Sequence, residues 1–241
     1  MNTPRVWGGS TLDARRSARR ERLIEAGFEL LGGPGGAPAV TVRSVCRTAK
    51  LTDRYFYENF ADRNELVLAV YDQVGDEARQ TLTEAVGSAM AGAAGKEHDP
   101  SEIARVAVRA FVGLVTDDPR KGRVLLLAPM TDAVLSERAL ALQPAFGELI
   151  RLQLAATVRP PGAPGSAGEP APAGESGSAG EPGPTGEPDE QAQWLTAAAL
   201  IGALSNLFVR WLDGSLAVSA DELTEYCVRM LVHAVPLSQP G

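Results

Sequence analysis

Apolar residues recur along this chain three and four positions apart, and no segment alternates apolar with polar residues as a half-buried strand would. This spacing predicts an all-α fold of about nine helices. The first helix is expected to end at Gly32, because glycines followed by a proline stop a helix. A fifth helix opens at Pro100, and the remaining helices are predicted to span residues 41–49, 52–59, 62–90, 119–130, 132–157, 189–213 and 219–234.

Polar residues at the predicted helix starts support these limits. Thr41, Asp62 and Ser219 have N-cap side chains, and Glu222, three positions after Ser219, completes a capping box. Three longer helices should bury an apolar face. The residues expected to point inward are Leu66, Val70, Val74, Leu82 and Val86 on the fourth, Ile103, Val106, Ala107, Ala110, Phe111 and Leu114 on the fifth, and Leu142, Phe146, Leu149 and Ile150 on the seventh.

The second and third predicted helices are short and almost adjacent. The turn between Ala49 and Thr52 is too brief to let them lie antiparallel, so they must cross steeply as a helix-turn-helix. The small Ala49 allows close approach, and Leu51 is expected to close the corner with Phe56 and Phe60 in the core. In such a unit the second helix enters the DNA major groove while the first braces it.

Residues 41–66, TVRSVCRTAKLTDRYFYENFADRNEL, combine several marks of one known DNA-binding domain. They contain a capping Thr, a small residue before the turn, a Tyr and a Phe three residues apart, and a basic residue that opens the next helix before a Glu-Leu pair. This string resembles the DNA-binding domain of the TetR family of repressors over about residues 13–70. The family often has Gly in the turn where this chain has Lys50, so Lys50 is expected to need a left-handed conformation.

The resemblance implies two groups of DNA contacts. Thr41, Tyr57 and Arg63 are expected to meet phosphates, for which hydroxyl groups and an Arg at a helix N-terminus are suitable donors. Arg54 could fork onto guanine O6 and N7. The residues expected to face base edges are Thr52, Asp53, Arg54 and Tyr55, and Arg43 completes the candidate DNA-binding set.

Some of these residues have a second interpretation. Tyr57 could be a packing residue whose hydroxyl lies in water, and Asp53 could serve only as a helix cap. Basic residues before and within the first helix could reach DNA as an arm or form a solvated charge run. These residues are Arg15, Arg16, Arg19 and Arg20.

The net charge of −7 argues against a nucleic-acid partner, but the charge is unevenly distributed. Residues 1–60 hold nine Arg and Lys50 against six acidic residues, a charge of +4, which leaves −11 for the rest. A basic head can face phosphates while an acidic body is kept away from them.

Residues 159–190 consist almost entirely of Pro, Gly, Ala, Ser, Thr and Glu, and the sequence GSAGEP occurs twice among them. Such a segment cannot bury enough apolar surface to offset its ordering entropy, so it is expected to be a disordered insertion. Two domains are predicted. Residues 1–61 form an N-terminal arm and a three-helix DNA-binding domain, and residues 62–241 form a helical regulatory and dimerisation domain that carries the insertion.

Two roles are expected for the helical body. The resemblance implies that the eighth and ninth helices pair with their twofold mates as a four-helix bundle. The eighth helix carries a stripe that includes small residues, and an ordinary core stripe is the alternative. The candidate interface is Trp194, Leu195, Ala198, Ile201, Gly202, Ser205 and Val209. The resemblance also implies a pocket for a mostly apolar effector, with core packing as the alternative. The candidate lining is Phe111, Leu114, Leu127, Met130, Phe146, Leu149, Asn206 and Phe208.

Other classes of function find less support. His98 and His233 have no partners at metal-ligand spacing, and neither a phosphate-binding Gly loop nor a Ser nucleophile elbow occurs, so no enzyme, cofactor or metal site is expected. Cys46 and Cys227 are interpreted as packing thiols. Without a membrane-length apolar run or a signal peptide, a cytoplasmic protein is expected.

The favoured function is therefore a homodimeric repressor that a small apolar ligand releases from a near-palindromic operator. Two alternatives stay open. One is a dimer that is constitutive or controlled by a protein partner, and the other is a helical interaction dimer that has lost DNA binding.

Overall fold

The computed structural model of the chain describes residues 12–92, 100–142, 147 and 188–234. Over these ranges every regular element is helical, which confirms the all-α class. The helices are α1 (Leu12–Leu31), α2 (Val42–Ala49), α3 (Asp53–Tyr57), α4 (Arg63–Gly92), α5 (Pro100–Asp117), α6 (Pro119–Gly122), α7 (133–142), α8 (Pro188–Leu212) and α9 (Ala220–His233). A short 3-10 helix (Ala37–Ala39) precedes α2.

The first three helices pack around a small core beside the start of α4. Leu23 of α1, Val45 of α2 and Phe56 of α3 are completely buried, and Phe60 joins them from the loop before α4. Phe56 and Phe60 therefore lie in the core as predicted. Together with the start of α4, these helices are called the head below, and α5 to α9 are called the body.

Side-chain caps start the helices where the sequence placed them. The Thr41 hydroxyl accepts a hydrogen bond from the Ser44 amide, and the Ser44 hydroxyl accepts one from the Thr41 amide. An Asp62 carboxylate oxygen accepts from the Glu65 amide at the start of α4. Ser219 and Glu222 form the predicted capping box at α9.

The burial of α4 and α5 differs in part from the predicted faces. Leu66, Val70 and Val74 are buried as expected, but α4 has no fully buried residue beyond Ala78, so Leu82 and Val86 are only half-buried. Helix α5 packs between α4 and α9, so it buries two sides instead of one stripe. Ile103 and Leu114 are buried as predicted, Val106, Ala107, Ala110 and Phe111 are half-buried, and the unpredicted buried residues are Val108, Val112 and Val115.

The segment predicted as one helix over 119–130 is helical throughout, with changes of winding. Helix α6 continues into a π-helical turn (Arg123–Leu127) and then a 3-10 turn (Ala128–Met130) that contains Pro129. The buried Tyr71 hydroxyl of α4 donates to the Leu125 carbonyl at 3.5 Å. The π turn contacts α1, α4 and α8, so it lies where the head, the long helix and the body meet.

Helix α7 begins at residue 133, one position after the predicted start, because Asp132 is its N-cap. Asp132 Oδ1 accepts hydrogen bonds from the amides of Val134 and Leu135, both at 3.1 Å, and thereby caps the helix. Leu142 is half-buried. The predicted inward residues Phe146, Leu149 and Ile150 lie outside the described residues, as does the Pro/Gly-rich segment up to residue 187.

Helix α8 is strongly apolar yet poorly covered within one chain. By length and composition alone, Gln191–Leu212 could cross a membrane, although the chain was expected to lack an apolar run of that length. Only 22% of its most apolar window is buried. Thr196, Ala197, Leu200 and Phe208 face inward, so one side of the helix packs on the body and the other is left open.

Candidate nucleic-acid interface

Helix α3 presents a polar and aromatic face to solvent while its apolar side is fixed in the core. Phe56 anchors the helix, and its ring meets the Tyr57 ring edge to face at 5.4 Å. The Arg54 side chain is 85% exposed and Tyr57 is 60% exposed. The candidate base-facing residues Thr52, Asp53, Arg54 and Tyr55 are all exposed, and so are Thr41 and Arg43 of the preceding helix start.

Arginines of α1 contact α3 and the end of α2 from inside the head. Arg22 donates to the Ala49 carbonyl at 2.5 Å, and Arg16 donates to the Glu58 carbonyl at 2.8 Å. The Arg19 guanidinium stacks 4.7 Å above the Tyr55 ring. These contacts brace both ends of the helix-turn-helix. Arg16 and Arg19 thus contact the protein, and Arg20 lies over the Phe60 ring at 4.9 Å, although Arg16 and Arg20 are also exposed to solvent.

Glu58, at the C-terminal end of α3, pairs with the main candidate for base recognition. Its carboxylate lies 3.1 Å from Arg54 Nε and 3.9 Å from an Arg19 guanidinium nitrogen. The Arg54–Glu58 spacing of four residues is the ordinary helical ion-pair spacing, so the sequence contained this signal. The ion pair uses Arg54 Nε, so the terminal guanidinium nitrogens are the candidate donors to a guanine.

The turn between α2 and α3 contains the strained residue that the sequence predicted. Lys50 has φ 54° and ψ 44°, the left-handed conformation, and it is the only non-glycine with a positive φ among the described residues. Behind the turn, burial and the neighbouring Asp53 carboxylate raise the pKa of the Cys46 thiol to about 11. Cys46 is buried and protonated at neutral pH, as expected of a packing thiol.

No sequence model of a protein family matches the chain. Solved structures nevertheless align with it over most of its length. A TetR-like transcriptional regulator from Rhodococcus sp. RHA1 shares 16% identity, with a TM-score of 0.60 over 91% of this chain and 97% of that chain. FadR from Bacillus subtilis, solved in complex with stearoyl-CoA, shares 11% identity, with a TM-score of 0.61 over 89% of this chain and 98% of that chain. The chain has the TetR-family fold.

Within this TetR-family fold, Arg63 is engaged differently from the expected phosphate contact. Its guanidinium donates to the carbonyls of Ala37 and Val40 at 2.9 and 3.1 Å and lies 2.6 Å from Asp132 Oδ2. The side chain is 26% exposed. These contacts lie within the protein, and a phosphate contact by Arg63 stays a prediction. No sequence signal identifies the partner, since Asp132 lies 69 residues away.

Of the candidate ligand-lining residues of this TetR-fold body, those that the structure describes lie partly in the core and partly at the surface. Phe111 and Phe208 pack edge to face at 4.8 Å in the core, with Leu114 buried and Leu127 half-buried. Met130 and Asn206 lie at the surface of the single chain, with Met130 67% exposed, so their place in a pocket stays a prediction. Helix α6 and its continuation turn Met130 outward. Phe146 and Leu149 lie outside the described residues.

The candidate dimer residues divide between the two sides of α8. Leu195, Ala198 and Gly202 are exposed, and Ser205 and Val209 are half-buried. Trp194 and Ile201 are half-buried, and both side chains lie close to Gly147 of the same chain, so their place in a dimer interface stays a prediction. Among the residues that the structure describes, no atom outside the helix lies within 4 Å of the point where a Gly202 side chain would begin, so this part of α8 is open.

Proposed function

We propose that this TetR-fold protein is a DNA-binding transcriptional repressor that recognises a near-palindromic operator as a homodimer. The observation that carries the proposal is the exposed polar face of α3, held rigidly by Phe56 on one side and by the α1 arginines on the other. A rigid helix with an exposed Arg and exposed hydroxyl groups suits the major groove. The likeness to TetR-type regulators supports the same function and favours a regulator over an enzyme.

The charge distribution supports docking on DNA in one orientation. Residues 1–60 carry +4 and the remainder carries −11, so phosphates attract the head and repel the body. Such a regulator would work beside the DNA in the cytoplasm. The exposed hydroxyls of Thr41 and Tyr57 are the proposed phosphate donors, and Arg54 is the proposed base reader.

The open side of α8 supports a second copy of the chain as partner. An apolar helix with only 22% of its window buried requires cover, and Leu195, Ala198 and Gly202 form a stripe of spacing three and four that would admit a close helix. One short recognition helix reads few base pairs. Two heads held about 34 to 36 Å apart would read successive major grooves, which favours a near-palindromic site.

The proposed effector is a mostly apolar molecule, and a long acyl chain is the first class to test. FadR from Bacillus subtilis binds stearoyl-CoA in its solved complex, and a fatty acid degradation regulator from Bacillus halodurans also matches, with a TM-score of 0.58 at 11% identity. The apolar side chains of α5, the π turn and α8 offer the chemistry for such a ligand. A constitutive repressor is the competing proposal.

Selection of bound fragments from random duplexes tests DNA recognition. We expect one enriched near-palindrome, bound much more tightly than random duplex. Affinity should fall steeply between low and physiological salt, because Lys and Arg contacts release counterions from phosphates. The proposal fails if no sequence is enriched or if affinity does not change with salt.

Titration of stearoyl-CoA and of a free fatty acid, with and without the selected operator, tests the effector. If the ligand prefers a conformation that holds the two heads out of register, it weakens operator binding. By reciprocity, operator must then weaken ligand binding by the same factor. Equal ligand affinity in the two titrations excludes the switch, and no binding by any apolar ligand favours the constitutive repressor.

A further inference from the structure

Asp132 belongs to the body, yet one of its two carboxylate oxygens binds the head. Oδ1 caps α7 through the amides of Val134 and Leu135, while Oδ2 accepts from Arg63 at 2.6 Å. The carboxylate is only 11% exposed. An ion pair this well shielded from water is stronger and less screened than a surface pair.

Arg63 carries this contact onward to the start of the DNA-binding motif. From the first residue of α4, its Nε donates to the Val40 carbonyl and one terminal nitrogen donates to the Ala37 carbonyl. Val40 immediately precedes Thr41, the N-cap of α2 and a proposed phosphate donor. One guanidinium thus joins α7, α4 and the 37–40 segment.

We propose that Asp132 is a positioning residue for the helix-turn-helix. It holds the Arg63 guanidinium in the plane that binds the 37–40 backbone, and so sets where Thr41 and α2 stand relative to the body. The inference rests on the proposed DNA-binding function and adds a residue of the regulatory body that specific recognition requires. Specific binding needs both heads in register, whereas non-specific binding needs only their charge.

The substitution Asp132→Asn separates this role from helix capping. Asn caps a helix about as well as Asp, and its single carboxamide oxygen can serve α7 while the charge that holds Arg63 is lost. The matched control is Asp72→Asn. Asp72 of α4 pairs with Arg138 of α7 at 2.7 Å, so it joins the same two helices at a more exposed place, and its loss changes the net charge equally.

We expect D132N to lower operator affinity about tenfold, equivalent to about 1.4 kcal/mol. Its affinity for random duplex should stay unchanged, and D72N should change neither affinity. Equal behaviour of D132N and D72N would overturn the proposal. Tighter binding of D132N to both duplexes would also overturn it, because Arg63 would then be a phosphate contact that Asp132 restrains.

Arg63→Lys provides a second variant, because Lys keeps the charge but cannot bind two carbonyls and a carboxylate in one plane. We expect R63K to lose operator affinity as D132N does, and the double variant to lose little more than R63K alone. Losses that simply add would show that the two residues act separately and would contradict the proposal.

Hydrogen exchange gives a readout that does not depend on DNA. Deuterium uptake over residues 37–45 should rise in D132N and stay unchanged in D72N, with α9 as an internal control for global stability. If wild-type protein failed to select any operator, the proposed function would fail while this measurement still decided whether Asp132 positions the segment. Unchanged uptake in D132N would refute the positioning role.

Discussion

The exposed side chains of α3 are expected to affect DNA binding in different ways. Arg54 projects into solvent and pairs with Glu58 through Nε, so its terminal nitrogens can still meet a base edge. An exposed pair of this kind contributes about 0.3 to 0.5 kcal/mol, which a bidentate contact with guanine exceeds. Tyr57 projects from the same helix but offers one hydroxyl, which suits a phosphate.

Replacing Arg54 with Ala should relax discrimination at one base pair by about 1 to 3 kcal/mol. Replacing Tyr57 with Phe should instead weaken operator and random duplex alike, because a phosphate contact carries no sequence information. Affinities for the operator and for its single-base variants measure both effects. A uniform loss in R54A together with a base-specific loss in Y57F would reverse the two roles.

The buried thiol of Cys227 predicts a loss of stability at alkaline pH. Burial raises the pKa of this thiol from an ordinary value of 9.0 to about 11. Below pH 9 it is protonated in both the folded and the unfolded chain. Between pH 9 and 11 the unfolded chain releases the proton first, so the free energy of unfolding decreases as pH rises.

Urea unfolding of the wild type and Cys227→Ala at several pH values checks this loss. The difference in unfolding free energy between the two proteins should be constant up to pH 9 and then shrink by about 1 to 3 kcal/mol towards pH 11. Cys46 and Tyr71, whose pKa values are also raised, are present in both proteins and cancel. A difference that stays constant throughout would contradict the assigned cause.

At the scale of single helices, local sequence signals predicted the helix ends well and the buried faces of the helices less well. The caps at Thr41, Asp62 and Ser219 follow from a polar side chain beside the amides that it binds, and the structure confirms all three. The face of α5 was partly wrong because α5 is covered on two sides, and periodicity alone does not reveal how many neighbours a helix has.

The turn of the helix-turn-helix retains strain at Lys50 that a glycine would relieve. Lys50→Gly should raise the free energy of unfolding by about 0.5 to 1 kcal/mol, because an L-residue in the left-handed region is strained and the gain is partly offset by the greater freedom of Gly in the unfolded chain. Lys50→Ala is the matched control, since it removes the same charge but keeps the strain. Denaturant unfolding of both variants checks this, and equal stability would show that the turn is unstrained.

In the complete molecule, the uncovered side of α8 accounts for the proposed dimer. Gly202→Glu should preserve the folded chain but prevent dimerisation, because a carboxylate would be buried against its copy in the close helix contact. Gly87→Glu, at an equally open and exposed position of α4, is the matched control and should leave the dimer intact. Sedimentation of both variants decides the matter, and a dimeric G202E would place the interface elsewhere.

Loss of the dimer should also remove operator selectivity while most of the random-duplex affinity per head persists. Each head keeps its charge, but a single recognition helix cannot read two half-sites. Operator titration of G202E beside G87E would show this change. Retained selectivity in a sedimentation-proven monomer would exclude the two-headed mode of binding.

Short-range chemistry was sufficient to predict the helical class, the helix caps and the buried Phe56 and Phe60, and the family resemblance predicted the left-handed Lys50. Each depends on residues a few positions apart, whose side chains bind or crowd the backbone beside them. The burial of one helix side and the capping of a helix start need no knowledge of distant segments.

Long-range packing decided what no local pattern encodes. Arg63 was expected on DNA but bonds Asp132, 69 residues away, because folding brings the start of α7 against the start of α4. The α1 arginines brace α3, and Trp194 and Ile201 turn towards Gly147, for the same reason. A long charged or aromatic side chain has similar local preferences whether it faces solvent, DNA or protein, so its partner depends on which segments the fold brings within its reach.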